Sequence, residues 1–88
     1  MKKFRGRLKM EVHHRIPQMY IGVKKLFPES MRTSLSNLQG LPRNVHRKIV
    51  SPMWASFRKT NPKPTRAQIV KKAMEIDKVI AEHINKVN

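Results

Sequence analysis

The chain has 88 residues, with 20 Lys and Arg against five Asp and Glu, and a net charge of +15. This length predicts a single domain, residues 1–88, with a thin core, because a chain of this size buries only about 60% of its extended surface on folding. The lack of cysteine excludes disulfides and thiolate zinc sites. No apolar stretch is long enough to cross a membrane, and the basic start MKKFRGRLKM has no apolar core after it, so we expect neither a membrane segment nor a signal peptide.

The basic residues are spread along the whole chain, which favours a folded basic face over a disordered tail. Such a surface attracts polyanions, and nucleic acid is the first of these to consider. A soluble tail and a membrane-surface patch are the alternatives. Residues 1–9 hold five Lys and Arg, and we interpret them as a flexible basic N-terminal arm or the edge of a first strand.

Two short strands are predicted in the first half of the chain. Residues 9–17 alternate roughly between apolar and polar side chains until Pro17, which indicates a strand that ends there. Residues 18–34 are predicted to be mostly loop, with a short turn of helix. Residues 35–41, LSNLQGL, are interpreted as a second short strand or an extended turn.

A helix is predicted to begin at Pro42, because proline is favoured at the first helical position, where its missing N–H is not needed. We expect a kink or a break near Ser51, because Pro52 cannot continue a helix undisturbed. Trp54 and Phe57 are spaced as on one helical face and are interpreted as core residues rather than as platforms for bases.

The C-terminal third of the chain predicts a long helix after a linker at residues 60–64. Thr65 and Gln68 are spaced as a capping box, which marks the start of the helix. The helix carries a broad apolar stripe, which predicts that it faces the core. The members of this stripe are Ile69, Val70, Ala73, Met74, Ile76, Val79, Ile80 and Ile84. Together these elements predict an α+β fold that is mostly helical.

Three histidines occupy positions where chemistry could use them. His13 and His14 are adjacent at the end of the first strand, and His46 lies in the helix after Pro42. Asn37 lies in the turn between them. Metal-assisted phosphodiester hydrolysis needs such a set, because a divalent ion neutralises charge on the scissile phosphate and the departing 3′ oxygen while a neutral imidazole takes the proton of the attacking water.

Two features of this set argue against a shared site. In an ideal strand His13 and His14 point to opposite faces, so they meet only where the strand twists or ends. Two histidines also leave a metal short of protein ligands, unless water and phosphate oxygens fill the other positions. The alternative interpretation is that these histidines are scattered on the surface and bind nothing.

At these residues the sequence resembles the HNH, or His-Me finger, nucleases. It is most similar to the short toxin domains at the C-termini of bacterial polymorphic and contact-dependent toxins. The resemblance is carried by EVHHRIPQ at residues 11–18 and SLSNLQGLPRNVH at residues 34–46, followed by Trp54, Phe57 and the closing helix, and covers roughly residues 10–82. It implies a ββα-metal core with a C-terminal helix.

The resemblance also implies a role for each matching residue. His13 and His46 are similar to the metal ligands, and His14 is similar to the general base. Asn37 resembles the motif asparagine that orients the base and braces the loop. In colicin-type members a further histidine ligand follows one helical turn later, where this chain has Val50 instead.

Other charged residues near the motif are candidates for binding. Glu11 is a further candidate metal ligand, since a Glu precedes the histidine pair in some toxin subfamilies and a strand would place it on the same face as His13. A lone charge on a basic surface explains Glu11 equally well. Phosphate contacts, with ordinary solvated charge as the alternative, are expected from Arg15, Arg43, Arg47 and Lys48.

These observations predict a metal-dependent HNH endonuclease that hydrolyses DNA with little sequence specificity, with RNA as the alternative substrate. The cofactor expected is one divalent ion, Zn, Ni, Mg or Mn. The resemblance implies a bacterial toxin effector that is delivered into a target cell, acts in its cytoplasm and is neutralised by an acidic immunity protein. The competing interpretation is a non-catalytic basic nucleic-acid-binding protein, which the charge supports equally but which does not need the spacing of the histidines and Asn37.

Overall fold

The computed structural model describes the backbone of residues 10–87 and the side chains of residues 10–84. The basic arm expected at residues 1–9 lies outside the described residues. The fold is α+β and mostly helical, as predicted, with a two-stranded antiparallel sheet and a long C-terminal helix. The strands are β1 (Met10–His14) and β2 (Leu38–Pro42), and the α-helices are α1 (Arg43–Val45), α2 (Ser51–Thr60) and α3 (Arg66–Val87).

The two strands pair antiparallel, with Glu11 opposite Leu41 and His13 opposite Gln39. Because side chains alternate along a strand, these four residues share the inner face of the sheet, and His14 belongs to the outer face. Leu41 and His13 are buried there. Both strands are shorter than predicted: β1 ends three residues before Pro17, and β2 begins only after a 3₁₀ turn.

The segment between the strands is mostly loop, as predicted, with 3₁₀ turns at Gln18–Tyr20, Glu29–Arg32 and Leu35–Asn37. Its middle part closes on itself, because the Phe27 N–H donates to the Tyr20 carbonyl at 3.0 Å and the Gly22 N–H donates to the Phe27 carbonyl at 3.0 Å. This closure places the buried side chains of Tyr20, Ile21 and Phe27 in the core.

Of the kink or break expected near Ser51, the break is wrong, because the helix after β2 continues through this residue. The chain stays helical over residues 43–60, with a π-helical turn, His46–Val50, between α1 and α2. Pro52 lacks an N–H, and its ring clashes with the carbonyl four residues earlier in an α-helix. The wide turn just before Pro52 accommodates the ring, and its extra residue makes Val50 rather than Ile49 the buried residue after Val45.

Helix α3 packs its apolar face on the other elements. The Thr65 hydroxyl accepts from the Gln68 N–H at 3.1 Å while the Gln68 side chain accepts from the Thr65 N–H at 2.8 Å, so the predicted capping box is confirmed. Of the predicted stripe, Val70 and Met74 are exposed. The residues of α3 that enter the core are Ile69, Ala73, Ile76 and Ile80. Within residues 10–87, no helix is both long and apolar enough to span a membrane.

The core draws residues from the loop after β1, from β2, from the π-helical turn, and from α2 and α3. Trp54 and Phe57 are buried in it with their rings edge to face at 5.5 Å, so their interpretation as core residues is confirmed. Arg15, just after β1, forms an ion pair with Asp77 of α3, and each of the two side chains is partly exposed. The core and this pair together fix the end of β1 relative to the helices.

Candidate active site

A cleft of about 280 Å³ lies beside the end of β1, and three of the predicted residues line it together: His13, His14 and His46. Its lining includes residues from both faces of β1, so it runs along the edge of the strand that β2 does not pair with. His13 and His14 are the last two residues of β1, and at this position both can line one cleft although they belong to opposite faces of the strand. The remaining lining residues are Val12, Pro17, Gln18, Val50, Ser51, Trp54 and Arg58.

His14 is half-buried, and its Nε2 lies 3.0 Å from the backbone carbonyl of Arg32. A carbonyl oxygen can only accept a hydrogen bond, so whenever the His14 ring is neutral, Nε2 is its protonated nitrogen. Nδ1 then carries the lone pair. The loop therefore selects the tautomer in which Nδ1 of His14 can take a proton.

Asn37 is 3% exposed and holds the end of β1 against the loop. Its Oδ1 accepts from the Ile16 N–H at 2.8 Å, and its Nδ2 donates to the carbonyls of Ile16 and Met31 at 3.3 Å. Its own carbonyl accepts from the Arg15 N–H at 2.8 Å. These bonds fix residues 15 and 16, which follow His14. They also fix Met31, which precedes the Arg32 carbonyl that His14 contacts.

His46 begins the π-helical turn and reaches back to the sheet, where its Nδ1 lies 2.9 Å from Oε1 of Glu11. A carboxylate accepts, so Nδ1 of a neutral His46 is the donor and Nε2 carries the lone pair. The hydrogen bonds from His46 and Arg47 lower the pKa of Glu11. Metal-binding histidines commonly have this second-nitrogen partner, because it fixes the ring and its tautomer.

Glu11 is thus on the same face as His13, as predicted, but both of its oxygens already have partners. Oε1 accepts from His46, and Oε2 lies 2.9 Å from Arg47 and 3.5 Å from Arg43. Glu11 is therefore better suited to orient the His46 ring through Nδ1 than to bind a metal itself.

His13 is 3% exposed, and its ring centre lies 5.4 Å from that of His46. Its Nε2 is buried without a hydrogen-bond partner. Burial, reinforced by the neighbouring His46 ring, lowers the pKa of His13 to about 4. At neutral pH His13 is therefore uncharged, which is the form that binds metals.

The two histidines fit a divalent ion as donors. Metal–nitrogen bonds of about 2.0–2.1 Å place the centres of two imidazoles on one ion roughly 5 Å apart, which is close to the separation seen here. Over residues 10–87, no group of three or more His, Cys, Asp or Glu side chains is arranged to hold a metal. Val50, where colicin-type members have a further ligand, is buried in the core. Two histidines with water and phosphate oxygens suit an open catalytic site rather than a closed structural one.

The predicted phosphate-binding residues have different surroundings. Arg15 pairs with Asp77, so its charge is already compensated within the fold. Arg43 and Arg47 share the single carboxylate of Glu11, which leaves one positive charge in excess at the rim beside His46. Lys48 is exposed on the same π-helical turn.

Sequence reasoning missed Arg58, an exposed residue of α2 that lines the cleft. Its spacing could have indicated this, because His46, Trp54 and Arg58 lie on one helical face at intervals of eight and four residues. The guanidinium can contact phosphate oxygens in two places at once. The cleft therefore combines imidazoles with a cation that can bind phosphate groups.

Comparison with protein-family models, with curated proteins and with solved structures found no match to this chain.

Replacing Asn37 tests its bracing role. Asn37→Ala leaves the Ile16 N–H and two carbonyls without their partner, and we expect the free energy of unfolding to fall by about 1–3 kcal/mol. Asn44→Ala is the control, because Asn44 is exposed on α1 and a surface change costs at most about 0.5 kcal/mol. Urea unfolding of both variants makes the comparison. Equal stability of the two variants would contradict the bracing role.

Proposed function

We propose that this protein is a metal-dependent endonuclease that hydrolyses DNA phosphodiester bonds with little sequence specificity, built on a ββα-metal core. The observation that carries the proposal is the meeting of His13, His14 and His46 at one cleft, with Asn37 bracing the strand end. A protein that only binds nucleic acid does not need this arrangement. The proposed mechanism below assigns a task to each residue.

His14 is the proposed general base. Its Nε2–H is held by the Arg32 carbonyl, so Nδ1 accepts a proton from the water that attacks phosphorus. As the new phosphorus–oxygen bond forms, the bond to the 3′ oxygen breaks, and that oxygen leaves and is protonated from solvent. Asn37 keeps the ring in place, because its hydrogen bonds fix the chain on both sides of the His14–Arg32 contact.

His13 and His46 are the proposed ligands of one divalent ion. When bound, the ion supplies Lewis-acid stabilisation of charge on the phosphate and on the departing oxygen. Glu11 orients His46 through Nδ1 and so directs Nε2 toward the site. Both rings would bind the ion as neutral imidazoles, which suits Zn or Ni, and Mg or Mn are the proposed alternatives for turnover.

The substrate is proposed to be held through its phosphates. Arg58 lies in the cleft wall, Lys48 is exposed on the π-helical turn, and Arg43 and Arg47 leave one uncompensated charge beside His46. Contacts to phosphate position a duplex without reading its bases. Little dependence on sequence is therefore expected.

The biological role that we propose rests on the sequence resemblance and the charge. It is a toxin effector that is delivered into a target bacterial cell and acts on nucleic acid in the cytoplasm. An acidic immunity protein that covers the basic rim of the cleft would associate quickly with a chain of net charge +15. RNA is the alternative substrate of the same site.

The role of His14 is tested by cleavage of supercoiled plasmid with and without a chelator. We expect His14→Ala to lower the cleavage rate by a factor on the order of 10² to 10⁴, the usual contribution of a general base, while folding and DNA binding persist. His83→Ala is the matched control, since this histidine lies on α3 and does not line the cleft. Near-normal cleavage by His14→Ala would remove His14 from the mechanism, and no cleavage by the wild type with any divalent ion would favour a non-catalytic binder.

Metal binding is tested by calorimetry on the metal-free protein. His13→Ala and His46→Ala each remove a proposed ligand, so we expect each to weaken Zn binding strongly and to abolish plasmid cleavage. The His83→Ala protein serves again as the control and should bind as the wild type does. Unchanged affinity in both ligand variants would place the metal elsewhere.

Phosphate binding is tested by the salt dependence of affinity for two unrelated duplexes. Five phosphate contacts would give a slope of about −4 to −5 for log affinity against log salt, at about −0.9 per contact. We expect the double variant Lys48→Glu, Arg58→Glu to flatten the slope by about one to two units, because Arg58 lines the cleft and Lys48 is exposed on the π-helical turn that begins with His46. Arg47 is avoided because it contacts Glu11, which supports His46.

Lys63→Glu is the control for one charge reversal, as Lys63 is exposed after the end of α2 and does not line the cleft. The single variants Lys48→Glu and Arg58→Glu are compared with it. If Lys63→Glu flattens the salt slope as much as either of them, net charge rather than the cleft rim determines affinity. A strong preference for one duplex would instead favour a protein that reads bases.

A further inference from the structure

Two complementary atoms on the inner face of the sheet lack hydrogen-bond partners. They are Nε2 of His13 and Oε1 of Gln39, and both are fully buried. Most buried polar atoms in folded proteins are paired, so each such exception calls for an explanation. Neither the capping and bracing bonds of the fold nor the proposed phosphate contacts involve Gln39.

The two residues are directly opposite each other in the β1–β2 register. Side chains of directly paired residues project to the same face, with Cβ atoms about 4.5–5.5 Å apart. An imidazole N–H and an amide carbonyl oxygen are a donor and an acceptor. A hydrogen bond between them would therefore satisfy both buried atoms at once.

We propose that Gln39 is a positioning residue for His13, which accepts a hydrogen bond from Nε2–H and leaves Nδ1 as the metal-binding nitrogen. This inference rests on the proposed function for the assignment of His13 as a ligand. The other half of the site provides the precedent, since Glu11, on the same face, holds Nδ1 of His46 at 2.9 Å and leaves Nε2 for the metal. Each histidine then has one oxygen acceptor from the inner face of the sheet.

The competing arrangement makes Gln39 a ligand. In it, His13 binds the ion through Nε2, and Oε1 of Gln39 binds the same ion as an oxygen donor. Gln39 does not line the cleft, whereas His13 does. An ion between two fully buried atoms would be out of reach of a phosphate in the cleft, so the geometry favours the positioning role.

The tautomer of His13 in the metal-free protein decides between these arrangements. Proton–nitrogen correlation spectra of the histidine rings at pH 8 should show His13 of the wild type as the Nε2–H tautomer. Gln39→Met, which keeps the length but has no acceptor, should shift His13 toward a mixture of tautomers. Gln39→Glu, which keeps an acceptor oxygen, should restore the Nε2–H form.

Calorimetry with Zn is the second measurement. We expect Gln39→Met to weaken binding by about 10- to 100-fold, the usual effect of removing the partner of a metal-binding histidine, and Gln39→Glu to bind close to the wild type. An Nδ1–H tautomer in the wild type, or Gln39→Met with unchanged tautomer and affinity, would overturn the inference. The wild-type tautomer decides even if Gln39→Met does not fold.

The tautomer measurement needs neither metal nor substrate, so it separates this inference from the proposed function. Absence of metal binding by the wild type would sink the metal site, while the Nε2–H form and its dependence on Gln39 could still be observed. Loss of the Nε2–H form with intact metal binding would sink only the role of Gln39.

Discussion

The register between β1 and β2 determines which side chains can take part in the site. With Glu11 opposite Leu41, the inner face receives a carboxylate, His13 and Gln39, and the helix that follows β2 directly carries His46 over that face. A slip of one residue would turn every β1 side chain to the other face and separate His13 from His46. The bonds of Asn37 to residues 15 and 16 oppose such a slip, because they attach the end of β1 to the start of β2.

Hydrogen-bond acceptors determine what each imidazole can do. The carbonyl of Arg32 and the carboxylate of Glu11 can only accept, so each one fixes the protonated nitrogen of the neutral histidine that it contacts. One ring is held by the loop and the other by the sheet, which places their lone pairs on different ring nitrogens, Nδ1 in His14 and Nε2 in His46. Under the proposed function this division separates a base from a metal ligand among chemically identical side chains.

The sequence predicted those secondary-structure features that depend on residues close together in the chain. Alternation around Val12 indicated β1, and the spacing of Thr65 and Gln68 identified the start of α3. It did not predict the π-helical turn, because local rules foresee only that Pro52 disturbs a helix, whereas burial of Val50 keeps the helix continuous through that disturbance.

Of the candidate site, the motif residues could be named in advance, but their partners could not. Glu11 and His46 are 35 residues apart, and Arg15 and Asp77 are 62 apart. No periodicity links such distant positions, so their roles follow only from the fold. Stability bears on the same site: Asn37 satisfies its buried polar atoms, whereas Nε2 of His13 is satisfied only through the proposed bond to Gln39, without which a buried polar group costs about 1–3 kcal/mol. Anything that binds the folded chain at His13 shifts the equilibrium toward the folded state, so under the proposed function a metal held there would also stabilise the strand end that carries it.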